Sequence, residues 1–404
     1  MTELTLNVLA TGIVEEGAFA VLDRVLESRA AGNDVINLGI GQPDLAPPEH
    51  VIEAAIRALR DGPHGYTPPV GIDSLREAVA ADVATRLGAP VTPDEVVIVP
   101  GGKVTLFLAT TLFGGAGAEI LYPDPGFPPY REAIRLSGAR AIPYPIRQEN
   151  DFAFEPDEVL GLVTENTRLI IINSPANPTG GVVARAQLDA LARGLAAHPH
   201  IAVLSDEIYA HLVFGNGEFV SILGYPELRD RAIVLDGWSK TFAMTGWRLG
   251  FGIWPARLVP YVRKLISTTY SCVNVAAQAG GLAAITGPRD ALDAYRRTLQ
   301  ERRDTLVRAL NDIPGVNCRT PGGAFYVFPD ITGTGWPSEA LTDKLLERAH
   351  VAAIAGDSFG HMGNGFLRLS YATDMSRLQQ AAERMKEFFE TYPALGRAGS
   401  FVGG

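Results

Sequence analysis

A chain of 404 residues is long enough for two or three domains, and with 47% apolar and 20% charged residues it has an ordinary soluble globular composition with ample core material. Its formal net charge of −10, spread without long like-charge runs, argues against a nucleic-acid partner and against a basic membrane-facing surface. Two cysteines, Cys272 and Cys318, are too few for a disulfide framework or a metal cluster and read as buried apolar residues of a reducing compartment.

The N-terminus, Met1-Thr2-Glu3-Leu4, lacks the basic stretch and long apolar run of a signal peptide, and no uncharged apolar run approaches a membrane span. A cytoplasmic protein with no membrane partner is expected. Residues 35–38 have strand character. Short β-branched runs at 96–99, 119–122, 141–144, 169–173, 202–205, 232–236 and 249–253 then alternate with helical patterns. That alternation predicts an α/β fold with a large, seven-stranded, mostly parallel sheet. Many of the runs end in Gly, Pro, Asn, Asp or Ser, where the ligand-binding loops of open α/β sheets lie. From about 288 to 310 the chain is charged and helix-patterned, as a long connecting helix would be. Strands at 324–328 and 366–370 and a closing helix from 376 to about 392 describe a smaller α+β domain, with which the strand at 35–38 is expected to pack. The tail after Pro393 reads as frayed. The expected division is 1–45 as an N-terminal arm and part of the small domain, 46–288 as the large cofactor domain, and 289–404 as the small C-terminal domain.

The chemistry-bearing residues fall at the ends of these strands. Lys240 lies just past the run 232–236, with Arg248 eight residues on. That pairing suits an aldehyde cofactor that also carries a phosphate: the lysine can form a Schiff base and the arginine can clamp the dianion. Most lysines are solvated surface groups, so spacing alone leaves both readings standing. Asp206, at the end of the strand 202–205, can keep a pyridine nitrogen protonated or can cap the next helix. Tyr209 follows on the same side of a helical turn, and with Asn177 it can hydrogen-bond a ring oxygen. Gly101-Gly102-Lys103 opens a helical pattern after 96–99, where backbone N–H groups bind phosphate, although Gly pairs also mark plain turns. Phe127 is placed to stack on a flat ring or to fill the core. Arg368, inside the apolar strand 366–370, needs an anion, either a substrate carboxylate or a structural ion-pair partner.

Taken together, Gly39-Ile40-Gly41-Gln42-Pro43-Asp44, Asn177-Pro178-Thr179-Gly180, Ser205-Asp206-Glu207-Ile208-Tyr209, Ser239-Lys240, Gly246-Trp247-Arg248 and Arg368-Leu369-Ser370-Tyr371-Ala372-Thr373 form one pattern. It resembles, nearly end to end, the class I/II aminotransferases of pyridoxal-phosphate fold type I, particularly their bacterial aspartate aminotransferase-like branch. The resemblance implies pyridoxal 5′-phosphate as cofactor, no metal, and ping-pong transfer of an amino group from an L-amino acid to a 2-oxo acid. It also implies a homodimer with shared active sites. Lys240 would be the Schiff-base lysine and proton shuttle, and Asp206 the partner of the pyridinium nitrogen. Asn177 and Tyr209 would hold the 3′-oxygen, and Phe127 would stack on the ring. Gly102, Lys103 and Arg248 would hold the phosphate, with Tyr66 reaching it from a neighbouring subunit. Arg368, with Asn177 and the backbone of Gly41, would bind the substrate α-carboxylate.

Two departures from the family pattern bear on the site. Relatives often carry a serine three residues before the lysine, where Gly237 stands here; Ser239 is the candidate replacement on the phosphate. In the aspartate-acting pattern a Ser-x-Thr in the N-terminal arm joins the lysine of Gly-Gly-Lys on the distal carboxylate, whereas here Glu16 and Ala18 occupy those positions. A carboxylate there repels a dicarboxylate donor and can neutralise Lys103. Aspartate is thus the family's default donor, and a neutral or basic amino acid is the alternative. The same scaffold also serves β-lyases and decarboxylases. A sensor domain of a transcription regulator would need a basic helix-turn-helix extension, and none precedes residue 30.

Overall fold

The computed structural model describes residues 4–215 and 217–392; the tail after Pro393, expected to fray, lies outside them. Strand β1 (Ile36–Asn37) is followed by β2 (Val96–Val99), β3 (Glu119–Asp124), β4 (Arg140–Pro145), β5 (Thr167–Asn173), β6 (Ala202–Asp206), β7 (Ala232–Gly237) and β8 (Gly250–Ile253). The last seven form one sheet in the order β2-β8-β7-β6-β5-β3-β4. Neighbours run parallel except at β8, which is antiparallel to both β2 and β7. All seven strands expected from the sequence are in this sheet. The run at 249–253 starts one residue late because the backbone at Arg248 is left-handed, with φ 52°.

Alternation along each strand sorts its side chains between two faces. Val97, Val99, Leu169, Ile171, Leu204, Ile233 and Leu235 join one buried cluster. Val96, Ile98, Ile170, Ile172, Val203 and Val234 join another on the opposite side. Strands apolar on both faces are what a mostly parallel sheet covered by helices requires. Parity also places the polar residues. Asp206 shares the side of Leu204, whereas Glu207 and Asp236 share that of Val203 and Val234.

Beyond the long helix Asp290–Asn311 come β9 (Tyr326–Val327), β10 (Val351–Ala352), β11 (Ile354–Ala355) and β12 (Leu367–Ser370), before the closing helix Met375–Thr391. Strands β11, β12 and β9 form an antiparallel sheet in that order. Strand β1 pairs in parallel with β10, and the Ser370 N–H donates to the Leu38 carbonyl at 2.7 Å. The N-terminal segment is therefore hydrogen-bonded to strands of the C-terminal part. The strand expected at 324–328 is only two residues long, because Ala324 is left-handed at φ 58° and extended backbone begins after it. Strands β10 and β11 were not legible in the sequence, since two residues are too few to show a period.

Charge is buried behind β6 and β7. Arg86 donates to Asp236 at 3.2 Å, and Glu207 accepts from the Ser221 hydroxyl at 2.8 Å and the Ile222 N–H at 3.2 Å. Burial pushes Asp236 up to about 6 and Glu207 up to about 7, against the pull of Arg86. The ordinary value for Glu207 is 4.5, so folding favours its neutral form. Its contribution to stability is full in acid and is lost as pH rises towards 7. Glu207→Gln removes that titration. Urea unfolding at pH 5 and pH 8 is expected to show the unsubstituted chain losing on the order of 2 kcal/mol more than the variant over this interval. Identical losses would contradict the assignment.

Candidate active site

The C-terminal ends of the parallel strands deliver the site, as open α/β sheets do. Strand β2 leads into Gly101-Gly102 and the helix Lys103–Phe113, β3 into Phe127, and β5 into Asn177. Strand β6 ends at Asp206 ahead of Tyr209, and β7 runs into the four-residue helix Trp238–Thr241. These segments, with Gly41, Arg248 and Arg368, enclose a cavity of about 480 Å³. Gly41, Gly102, Lys103, Phe127, Asn177, Asp206, Tyr209, Ser239, Lys240, Arg248 and Arg368 all line it. Tyr66 does not, and is 90% exposed.

Lys240 is held by its helix. Trp238, fully buried two residues earlier, donates its indole N–H to the Gly281 carbonyl at 3.0 Å. The Lys240 ammonium donates to the Gly41 carbonyl at 2.5 Å and lies 5.6 Å from the centre of the Phe325 ring. Burial lowers its pKa to about 8. Arg368, Arg248 and Lys103 press in the same direction, and Glu16 opposes them.

Asp206 is buried in the wall of the same cavity. The Tyr130 hydroxyl donates to Oδ2 at 2.7 Å and the Ile208 N–H to Oδ1 at 3.3 Å. Burial raises its pKa to about 6, while those donors and the charge of Lys240 hold it down. Tyr130 was missed in the sequence. Its signal was its place three residues after Phe127, at the start of the helix Pro129–Leu136.

Arg368 projects from β12 with its guanidinium between two rings, 4.6 Å from the centre of Tyr326 and 4.8 Å from that of Phe359. Nη1 donates to Asn177 Oδ1 at 2.9 Å and Nη2 to the Gly39 carbonyl at 2.5 Å; Nε is buried with no acceptor among the described residues. Asn177 is itself fixed, its N–H donating to Asn173 Oδ1 at 2.9 Å. The backbone carbonyl beside Arg368 is thus that of Gly39, while the Gly41 carbonyl receives Lys240. The Tyr209 and Tyr326 hydroxyls share a hydrogen bond at 2.8 Å. Tyr326 also escaped the sequence, hidden in an apolar run.

Arg248 and the glycines form a cradle at the helix start. Gly101 has φ 92°, and a Cβ there would strike the Arg248 guanidinium; a Cβ on Gly250 would strike the Gly102 nitrogen. The same crowding explains Gly237. A Cβ at that position would sit 2.7 Å from the Gly250 Cα, leaving no room for the serine that relatives often carry. Ser239 stands buried on the cavity wall two residues on. At the same helix start, Lys103 Nζ donates to Glu16 Oε2 at 2.9 Å and lies 5.1 Å from the centre of the Phe127 ring.

Residues 33–385 match the family described as aminotransferase class I and II. The chain belongs to the class I and II aminotransferases. Enzymes of this family use pyridoxal phosphate to move amino groups between amino acids and 2-oxo acids. Over 368 residues, covering 91% of this chain and 93% of the relative, it is 37% identical to an aspartate aminotransferase of Pyrococcus horikoshii. The solved aspartate aminotransferase of Rhizobium meliloti matches with a TM-score of 0.91 at 30% identity, covering 96% of this chain and 99% of that one. An alanine aminotransferase from Pyrococcus furiosus matches with a TM-score of 0.90 at 32% identity, covering 96% and 100%. Proteins named for different donors share the fold of this aminotransferase, so the fold alone does not set its donor. No described helix is long and apolar enough to cross a membrane.

Tyr130→Phe takes away one of the donors that hold the Asp206 pKa down, and so raises the carboxyl further. The expected result is a fall of about tenfold in kcat/KM, with the acidic limb of the pH profile moved to higher pH. An unshifted limb would remove Tyr130 from the site.

Proposed function

We propose that the cavity holds pyridoxal phosphate and passes an amino group from an L-amino acid to a 2-oxo acid in two half-reactions. The observation that carries this is the convergence of a buried lysine, a buried aspartate and a buried arginine on one cavity beside a glycine-lined helix start. The residues suit the cofactor. Cβ atoms at Gly101 and Gly250 would fill the cradle that Arg248 flanks, a helix N-terminus favours a dianion, and Arg368 keeps an unpartnered Nε for a carboxylate. In this reading the N–H groups of Gly102 and Lys103, the Arg248 guanidinium and the Ser239 hydroxyl take the phosphate. Asp206 takes the ring nitrogen, Asn177 and Tyr209 the ring oxygen, and Phe127 the ring face.

When bound, pyridoxal phosphate supplies an electron sink for negative charge developing at the substrate Cα. The rest falls to the chain. Arg368, backed by Asn177 and the segment 39–41, fixes the α-carboxylate and so the direction of the Cα–H bond. Lys240, with its ammonium already destabilised by burial, has a neutral amine available near physiological pH to take that proton and return one. Asp206, ionised above about pH 6, holds positive charge on the ring nitrogen. We also read the enzyme as a cytoplasmic homodimer with shared active sites, divided into 1–45, 46–288 and 289–404, in which Tyr66 reaches the partner's phosphate. The 90% exposure of Tyr66 and the exposed Leu4, Leu6 and Val8 support that reading.

Lys240→Ala is expected to lower amino transfer to 2-oxo acids by about ten-thousand-fold, followed by oxo-acid-dependent turnover. Retained activity would sink the assignment. Arg368→Lys keeps the charge but loses the fork, and is expected to cost about 100-fold in kcat/KM. Covalent capture of pyridoxal phosphate by the apo chain, followed by absorbance, should rise with pH around a midpoint near 8, because only the neutral amine reacts. A midpoint near 10.5, the ordinary lysine value, would contradict the buried setting of Lys240.

A further inference from the structure

We propose that the donor's side chain is uncharged and apolar, a conclusion that rests on the amino-transfer reading above. Among the described residues four cationic side chains line the cavity, namely Lys240, Arg248, Arg368 and Lys103. In that reading the first three serve the reacting carbon, the phosphate and the α-carboxylate. Of these four the Lys103 side chain remains for a substituent on the donor, and Glu16 Oε2 accepts from its ammonium at 2.9 Å within the cavity wall. Glu16 immediately precedes the helix Gly17–Ala30, yet its side chain makes no capping bond to that helix. The carboxylate is committed to Lys103 instead.

Such a pair disfavours charge of either sign. A distal carboxylate drawn to Lys103 meets Glu16, and a distal cation drawn to Glu16 meets Lys103. The pair is half-buried, the Lys103 side chain 38% and the Glu16 side chain 20% exposed, so water screens both encounters in part but does not cancel them. An uncharged side chain meets neither penalty. On the cavity wall it finds Ala18, Phe19 and Ile40, against which apolar surface can be buried.

The test is a half-reaction series with holoenzyme. L-Leucine, L-phenylalanine, L-aspartate and L-arginine are mixed in turn, and loss of the cofactor absorbance is followed. The apolar donors are expected to react at least about tenfold faster per mole than aspartate or arginine. In Glu16→Gln, which releases Lys103, the aspartate-to-leucine rate ratio is expected to rise about tenfold. Calorimetric binding of succinate, an unreactive dicarboxylate, should tighten to a similar degree. Aspartate or arginine outrunning both apolar donors in the unsubstituted enzyme overturns the proposal. So does a Glu16→Gln variant with an unchanged ratio or an unchanged succinate affinity. If no amino acid alters the absorbance, the amino-transfer reading itself falls and takes this one with it.

Discussion

Positive charge crowded around a desolvated amine is the constraint on which the site depends. Lys240 shares its cavity with Arg368, Arg248 and Lys103, and burial alone would already favour its neutral form. A cavity holding so many cations is stable only where anions or dipoles face them. The chain supplies few. The Gly41 carbonyl takes Lys240, the Gly39 carbonyl and Asn177 take two arms of Arg368, and Glu16 takes Lys103. Arg248 is satisfied only by the Thr245 carbonyl at 2.8 Å among its described hydrogen bonds. In the reading proposed above, a phosphate and a carboxylate would neutralise this positive potential.

The sheet makes that crowding possible by separating charges across its two faces. Asp206 and Glu207 are adjacent in sequence, yet parity sends one to the cavity and the other to the apolar side with Arg86 and Asp236. Were both carboxylates in the cavity, their mutual repulsion would protonate one of them and weaken the proposed partner of a ring nitrogen. The antiparallel β8 contributes differently. Its close approach to β7 at Gly237 and Gly250 brings the Arg248 loop against the start of the helix Lys103–Phe113. Only glycine tolerates that approach, so the cradle is obtained at the expense of a side chain at 237.

Most of this was legible from residue patterns because the strands are long enough to show alternation and their ends carry unusual residues. Lys240, Asp206, Asn177 and Arg368 each stand next to a run whose strand character is unambiguous. Tyr130 and Tyr326 were not legible for the opposite reason. Each is an aromatic within an apolar setting, where filling the core is the commoner role, and only the partner across space marks it as polar. The Gly39 contact to Arg368 depends on register between the N-terminal segment and β12, which no local pattern encodes. The glycine at 237 looked like a lost phosphate contact until the distance to Gly250 gave it a steric cause.

On the proposed roles of Lys240 and Lys103, Glu16 would tie substrate choice to the strength of the base. Its carboxylate neutralises Lys103, and its field also raises the pKa of Lys240 against the three other cations. Removing the charge to admit a dicarboxylate would therefore also leave the amine with less electrostatic support for its proton. The amine would deprotonate at lower pH and bind the substrate proton less firmly once it had taken it. A bound dicarboxylate would restore some of the missing negative charge, placing it beside Lys103. An enzyme that keeps Glu16 carries this charge permanently, and its amine is tuned before any donor arrives. One that lacks it must take the charge from the donor, so the strength of its base would depend on which amino acid is bound.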